Sequence, residues 1–423
     1  MTSPDPAPTG LVLTGGGARA AYQVGVLDAL MQIRRDASAA RSTNPFPVIA
    51  GTSAGAINAA ALAGDADDIE AAVAKLVAIW QGFHADQVYR SDSLGVLRTG
   101  ARWLTMMSIG WIIARWWQQK PRSLLDNTPL AGLLERMARL DRVPSLIRDG
   151  HLRALAVSAS SYTSGEHITF YTAAAAVPDW VRSQRRAVRD QIGLPHLLAS
   201  SAIPFVFPAQ SVAIDGQPEW LGDGSMRQAA PISPAIHLGA ERVLVIGAGR
   251  MHEPPGRRHV GQGYPSMAQI AGHALSNIFL DALAVDVERL QRINRTLALL
   301  DPAVRARSSL RPIEVLLIAP SQRLDDIAAR HLDALPLSVR ALLAGVGVSG
   351  QGQQASGAAL ASYLLFEGAY TRELMALGRS DTLERRDEVQ RFFGWETGDQ
   401  GAGQGVPQDE AAARPGQREA AGA

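Results

Sequence analysis

Ser53 sits in the pentapeptide Gly51-Thr52-Ser53-Ala54-Gly55, after the apolar run Phe46-Pro47-Val48-Ile49-Ala50 and before an alanine-rich stretch, 56–63. A serine with a glycine two residues away on each side, between a strand and a helix, occupies a sharp turn that lifts its hydroxyl above the end of a sheet. Such a turn leaves room only for very small flanking residues, which accounts for Gly51 and Gly55. Two readings follow. Ser53 is an exposed nucleophile, or it is an ordinary N-cap in a glycine-rich turn. The strand before it and the helix after it favour the first.

A second glycine run lies upstream. Leu11-Val12-Leu13-Thr14 reads as a buried strand, Gly15-Gly16-Gly17-Ala18-Arg19 follows, and an apolar helix is expected over 19–34. Glycines at this junction turn main-chain N–H groups outward at the positive end of a helix, which makes an anion site. The anion is either the oxyanion of an acyl-transfer intermediate or a pyrophosphate. Gly15, Gly17 and Ala20 satisfy the dinucleotide spacing G-x-G-x-x-G/A. That fold needs an acid at the end of the second strand, about 20 residues on. Here the second strand ends at Ile49-Ala50 and runs into the serine motif. No Gly-Lys-Ser/Thr follows, so a P-loop is unsupported.

The third element is Trp220-Leu221-Gly222-Asp223-Gly224-Ser225, after the strand-like Ser211-Val212-Ala213-Ile214. An aspartate between glycines is often only a turn residue. Beside the other two motifs it has a role, because a serine hydroxyl is a poor nucleophile unless a base takes its proton.

The glycine run, the serine pentapeptide and Asp223-Gly224, in that order, resemble the patatin-like phospholipase family, with bacterial members the nearest in character. Ala199-Ser200-Ser201-Ala202-Ile203-Pro204 with Phe207-Pro208, and Leu124-Leu125-Asp126-Asn127-Thr128-Pro129-Leu130, agree with it. The likeness covers roughly 9–250. It implies a lipid acyl hydrolase with a Ser-Asp dyad and no histidine: Ser53 as nucleophile, Asp223 as base, and Gly15, Gly16, Gly17 and Ala18, helped by Arg19, as oxyanion and substrate-binding loop. Gly51, Thr52, Ala54, Gly55 and Gly224 complete the motifs. Two positions depart from the pattern. Ala20 stands where the family usually has glycine, and Ser225 where it usually has glycine or alanine.

Around these motifs the coarse map is α/β. Strands are expected near 10–14, 46–50, 152–158, 168–173, 205–214, 242–247 and 313–319. Helices are expected over 19–34, 54–63, 67–83, 127–139, 187–200, 265–296, 322–333, 335–344 and 353–378. Alternation of this kind argues for a mostly parallel central sheet with helices on both faces. The expected domain is 8–380, with a mainly helical C-terminal part over 265–380. A basic loop is expected over 301–312 and a disordered tail over 396–423, where Gly, Ala, Gln and charge dominate.

Residues 84–125 read as an insertion. Its segment 102–117 holds four of the eight tryptophans, Trp103, Trp111, Trp116 and Trp117, and 103–114 carry no charge. That is too short for a bilayer span, which needs about 20 residues. Trp and Arg at the ends of an apolar helix suit a peripheral membrane contact or a lid; a helix packed into the core fits the pattern equally.

The composition fits this picture. Of 423 residues, 47% are apolar, enough for a sizeable core, and the net charge of +1 points to no nucleic-acid partner. Cysteine is absent, so no disulfide framework or thiolate metal site exists, which suits a reducing compartment. The start of the chain has neither a basic nor an apolar leader region, so a protein that is cytoplasmic, or peripheral on the inner face of the membrane, is expected. His237, His252, His259 and His273 follow Asp223, the order a triad would require, but none lies in a motif. No metal or organic cofactor is expected. The substrate is expected to be a lipid or acyl ester, and the activity hydrolysis through an acyl-enzyme. The alternatives are a transacylase, or a catalytically idle lipid-binding regulator.

Overall fold

The apolar runs pair into one sheet. The computed structural model of the chain describes residues 7–37, 44–91, 123–174, 177–251, 264–350, 352 and 355–395. The segment 102–117 and the tail 396–423 lie outside the described residues. In chain order the strands are β1 Thr9–Leu13, β2 Val48–Thr52, β3 Ala154–Ser161, β4 His167–Ala173, β5 Val181–Arg182, β6 Arg185–Arg189, β7 Gln210–Ile214, β8 Gln217–Asp223, β9 Arg242–Ile246 and β10 Glu314–Ile318. The path β10-β9-β1-β2-β3 is parallel throughout. Beyond it β4 turns antiparallel, and the β7–β8 hairpin joins through β8, antiparallel to β3.

The central strands are buried on both faces, and their side chains alternate between two packing layers. Leu11, Leu13, Ile49, Leu244 and Ile246 share one layer with the helices Ala21–Asp36, Ala54–Gly64 and Gly368–Glu384. Val12, Val48, Ala50, Val243 and Val245 share the other with Ser233–His237 and Met267–Ala298. The architecture is the α/β sheet expected, mostly parallel and covered on both sides. The helix Met267–Ala298 is long and apolar enough to cross a membrane by length and composition. Its buried Leu275, Phe279, Leu283, Val287 and Leu290 recur every three to four residues, the spacing of a helix laid along a sheet.

Three expected elements differ. The strand expected over 205–214 is only β7, because Phe205 has φ 66, a left-handed value no strand accommodates. The helix expected over 187–200 is β6 followed by Leu194–Ser200. Parallel pairing of Arg185 to Arg189 with His167 to Tyr171 overrides local preference there, and Gly193 with Pro195 sets the helix start. The helix expected over 353–378 is split into Ala358–Ser362 and Gly368–Glu384. At the break, the Tyr363 carbonyl accepts from Ala18 N–H at 3.0 Å and the Leu364 carbonyl from Tyr89 Oη at 2.8 Å, so tertiary bonds take carbonyls a continuous helix would use. β8 was not expected as a strand, although Asp215-Gly216, with φ 51 and 78, is a two-residue hairpin turn of the Asp-Gly kind. Within 301–312, Pro302–Ala306 forms one helical turn capped by the Asp301 side chain.

Candidate active site

Strand register brings Ser53 and Asp223 together. Thr52, the last residue of β2, pairs with Ser158 of β3. Ser53 therefore stands level with Ala159. The other edge of β3 is occupied by β4 up to Ser160, so β8, which pairs Asp223 with Ala159, enters the slot left where β2 ends. Gly224 makes that approach possible: a Cβ there would lie 2.2 Å from the Ser158 carbonyl oxygen.

Ser53 has φ 56 and ψ −130. A non-glycine residue held there stores on the order of 1–3 kcal/mol of strain, a feature that clusters at functional sites. The chain affords the turn because Gly51 and Gly55 have no side chains. A Cβ on Gly51 would come within 2.5 Å of the Gly55 carbonyl oxygen, and one on Gly55 within 2.3 Å of the Leu13 carbonyl oxygen. Ser53 opens the helix Ala54–Gly64, yet its side chain caps no backbone amide. Its Oγ–H instead donates to Asp223 Oδ2 at 2.6 Å. This geometry decides against the N-cap reading. The Ser53 amide donates to Ser200 Oγ at 2.9 Å, and Ser200 Oγ–H donates to the Ser158 carbonyl at 2.6 Å, so the elbow is tied to β3 through Ser200.

Asp223 is fully buried, and Oδ1 accepts from the Ser225 amide at 2.9 Å. Burial raises its pKa to about 6; the hydrogen bonds from Ser53 and Ser225 pull the other way and only partly offset the lost hydration. Both carboxylate oxygens thus have named partners, and neither partner is a histidine. His167 is the histidine bonded closest to this turn, through the Gly224 main chain, and burial holds it neutral by lowering its pKa to about 4. His237 stacks on Trp180 at 4.6 Å, and His273 lies by Arg19 and Asp325 in another cavity. His252 and His259 lie outside the described residues.

The glycine loop stands beside the elbow, because Leu13 pairs with Gly51. Gly17 has φ 56, and a Cβ on it would lie 2.3 Å from the Tyr363 carbonyl oxygen. Not every amide of the loop is available to an anion. Ala18 N–H donates to the Tyr363 carbonyl, and Arg19 N–H to the Gly16 carbonyl at 3.1 Å. The amides of Gly16 and Gly17 donate to no protein acceptor among the described residues, and Gly17 lines a cavity with Ser53 and Ala54 at the N-terminus of the helix Ala54–Gly64. The Arg19 side chain leaves the loop. It is buried, ion-paired with Asp325, donates to Ser362 Oγ at 2.8 Å, and lies 4.0 Å from the Tyr363 ring centroid. It anchors the loop from behind. Gly15 packs against Ser225 and Phe279.

Several positioning residues carried no sequence motif. Trp80 Nε1–H donates to Asn58, Asn58 donates to Gln23, and Gln23 donates to the Thr14 carbonyl, at 2.9, 3.2 and 2.8 Å. This buried chain ties the helix after the serine to the strand before the glycines. Only a polar residue at a helix position otherwise apolar, Asn58 within 54–64, could have signalled it.

Ser53, Gly17 and Ala54 face a narrow apolar cavity of about 30 Å³, walled by Ile57, Trp80, Phe83, Leu130, Phe207 and Phe366 among others. That volume holds little more than a water molecule, so a chain of several methylenes enters only as the walls part. Among the described residues no group of three or more His, Cys, Asp or Glu side chains is arranged to hold a metal.

A family model described as patatin-like phospholipase matches residues 11–236. No curated protein matches the chain. Solved structures similar to it include VipD from Legionella pneumophila, 13% identical with a TM-score of 0.34, the match covering 91% of this chain and 67% of that one. Another is human GIVD cytosolic phospholipase A2 in complex with methyl gamma-linolenyl fluorophosphonate, also 13% identical, with a TM-score of 0.38 and coverage of 92% and 59%. This chain thus spans less than two thirds of the human protein's length. The family match takes in more than half of the 423 residues, including the glycine loop, Ser53 and Asp223, and the chain belongs to the patatin-like phospholipase family.

Proposed function

We propose that this protein is a serine lipid acyl hydrolase of the phospholipase A or esterase type, working through a Ser53–Asp223 dyad and an acyl-enzyme. The observation that carries the reading is the 2.6 Å hydrogen bond from Ser53 Oγ–H to Asp223 Oδ2, made from a strained elbow whose hydroxyl caps nothing. Asp223 takes the Oγ proton as Oγ bonds to the ester carbonyl carbon. The carbonyl oxygen gains negative charge, and the free amides of Gly16 and Gly17 beside a helix N-terminus are suited to receive it. The ester C–O bond then breaks, and the leaving alcohol collects the proton from Asp223. Water repeats the cycle on the acyl-enzyme, with Asp223 again as base, and releases the fatty acid. The apolar walls beside Ser53 are of the kind an acyl chain would pack against once they part.

The test is product analysis. Purified protein with phospholipids and p-nitrophenyl acyl esters is expected to release free fatty acid. Transfer of the acyl group to an added alcohol or lysolipid, with little free acid, would replace hydrolysis by transacylation. Silence on every ester would leave a lipid-binding protein.

The oxyanion assignment gives a second expectation. A side chain on Gly16 would meet Ala248 Cβ at 2.6 Å, so Gly16→Val must displace the loop. Turnover is expected to fall about 100-fold or more, since one lost donor costs about 2.7–4 kcal/mol of transition-state stabilisation. Near-normal turnover in a folded variant would make the loop structural.

The reading extends to a peripheral membrane site on the sequence of 102–117 alone, with the protein acting at the inner face of a membrane. Replacing Trp111, Trp116 and Trp117 with serine is expected to weaken liposome binding and micellar turnover while sparing a short soluble ester. An unfolded variant would speak for core packing instead.

A further inference from the structure

An ester substrate has two ends, and two cavities flank the turns that carry the dyad. The apolar cavity touches Ser53, Gly17 and Ala54. A second cavity, open and of about 510 Å³, reaches the other side of the catalytic turn through Ser225 and Gln228. Both residues are coupled to the dyad. The Ser225 amide donates to Asp223 Oδ1, and Gln228 Nε2–H donates at 2.7 Å to Thr52 Oγ1, next to Ser53. The second cavity mixes polar and apolar groups where the first is apolar throughout. Gln184 and Arg185 line it from the β5–β6 hairpin, Arg227 follows the catalytic turn, and Asn277 faces them from the helix Met267–Ala298.

Resting on the lipid-hydrolase reading, we propose that this cavity receives the head group of the leaving alcohol, and that Arg185 and Arg227 select an anionic phosphate head group over a zwitterionic one. Two observations carry the assignment. The described residues lining the cavity include two arginines and no acid. Arg182, paired with Arg185 across the hairpin, is a third cation next to this lining. Asp286 offsets Arg185 in part, but it is buried, accepts from the Ile232 amide at 3.0 Å, and also has Arg289 beside it.

Arginines present forked donors that match phosphate oxygens, and a cavity with one sign of charge concentrates ligands of the other. A phosphodiester ending in a neutral polyol is complementary to this lining throughout. A phosphocholine would bring a quaternary ammonium to cations and find no acid among the described lining residues. Arg227 is held at the cavity by its hydrogen bond to Gln184 Oε1 at 3.2 Å.

The test compares short-chain phosphatidylglycerol and phosphatidylcholine with identical acyl chains. Both are used as monomers below their critical micelle concentrations, which removes attraction to a charged surface. p-Nitrophenyl butyrate, which has no head group, is assayed alongside. Wild type is expected to favour phosphatidylglycerol in kcat/KM by about tenfold, the scale of one charge-assisted hydrogen bond. Arg185→Gln with Arg227→Gln should bring the ratio close to one, mainly through KM for phosphatidylglycerol. Arg227 is exposed, so Arg227→Gln alone is the variant safest for folding, and it should lose part of the preference. Equal kcat/KM for the two lipids in wild type, or an undiminished preference in the double variant, would overturn the head-group assignment and leave the hydrolase reading intact. A wild type that cleaves none of the three esters would overturn the hydrolase reading itself.

Discussion

Ser53→Ala is expected to abolish ester turnover while the fold persists. The substitution deletes one oxygen whose hydrogen bond, among the described residues, runs to Asp223, and it leaves the glycines that shape the elbow. Removing an activated serine nucleophile costs on the order of 10⁶ in turnover, against a background kept up by substrate binding and the oxyanion site. Circular dichroism and thermal melting should place the variant close to wild type. Residual turnover within about tenfold of wild type would assign the attack to another group.

Asp223→Asn carries the second large effect. The amide keeps the shape of the carboxylate but cannot take the Ser53 proton, and loss of a general base typically costs about 10²–10⁴-fold. Alanine replacements of His237, His252, His259 and His273 should each leave turnover within a few-fold of wild type. The base must be ionised, so wild-type activity should fall as pH drops through about 6, where burial has raised Asp223. That value approaches the ordinary range of histidine, so the histidine variants, more than the midpoint, show whether a histidine that follows Asp223 takes part.

The same burial has a consequence for stability. A carboxyl whose folded pKa of about 6 exceeds its ordinary 3.8 holds its proton more tightly in the folded state. Its contribution to stability is therefore most favourable below the ordinary value, declines as pH rises between the two, and stays unfavourable above about 6. Asparagine does not titrate. Asp223→Asn should melt above wild type at pH 8, with the gap closing toward pH 4. An inactive variant of raised stability is the signature of a site that trades stability for chemistry.

What could be read from the residues was what spacing alone enforces. Gly51 is dictated by the Gly55 carbonyl within the same turn and Gly55 by the Leu13 carbonyl of the adjacent strand, but both fall inside one pentapeptide, so the elbow is legible. The central strands are legible for a similar reason: buried on both faces, they are continuous apolar runs. β8 and β6 were not. β8 carries Pro218 and exposed polar residues, and β6 carries three arginines; both owe their conformation to pairing with distant strands. The Asp215-Gly216 turn was the available clue to β8. Asp223 was legible as a glycine-flanked acid, but its place beside Ser53 depends on β8 filling the end of β2, which only the register reveals. Arg19 was expected to help the glycine loop directly. Its guanidinium is spent on Asp325 and Ser362, more than 300 positions away, which no local pattern encodes.

The most direct test of the Ser53–Asp223 assignment is covalent labelling with an alkyl fluorophosphonate, followed by peptide mass spectrometry, on wild type and Asp223→Asn side by side. One adduct is expected on wild type, on Ser53, with labelling of Asp223→Asn slowed by two orders of magnitude or more, the scale of a lost general base. An adduct on a different residue, or Asp223→Asn labelled at the wild-type rate, would contradict it.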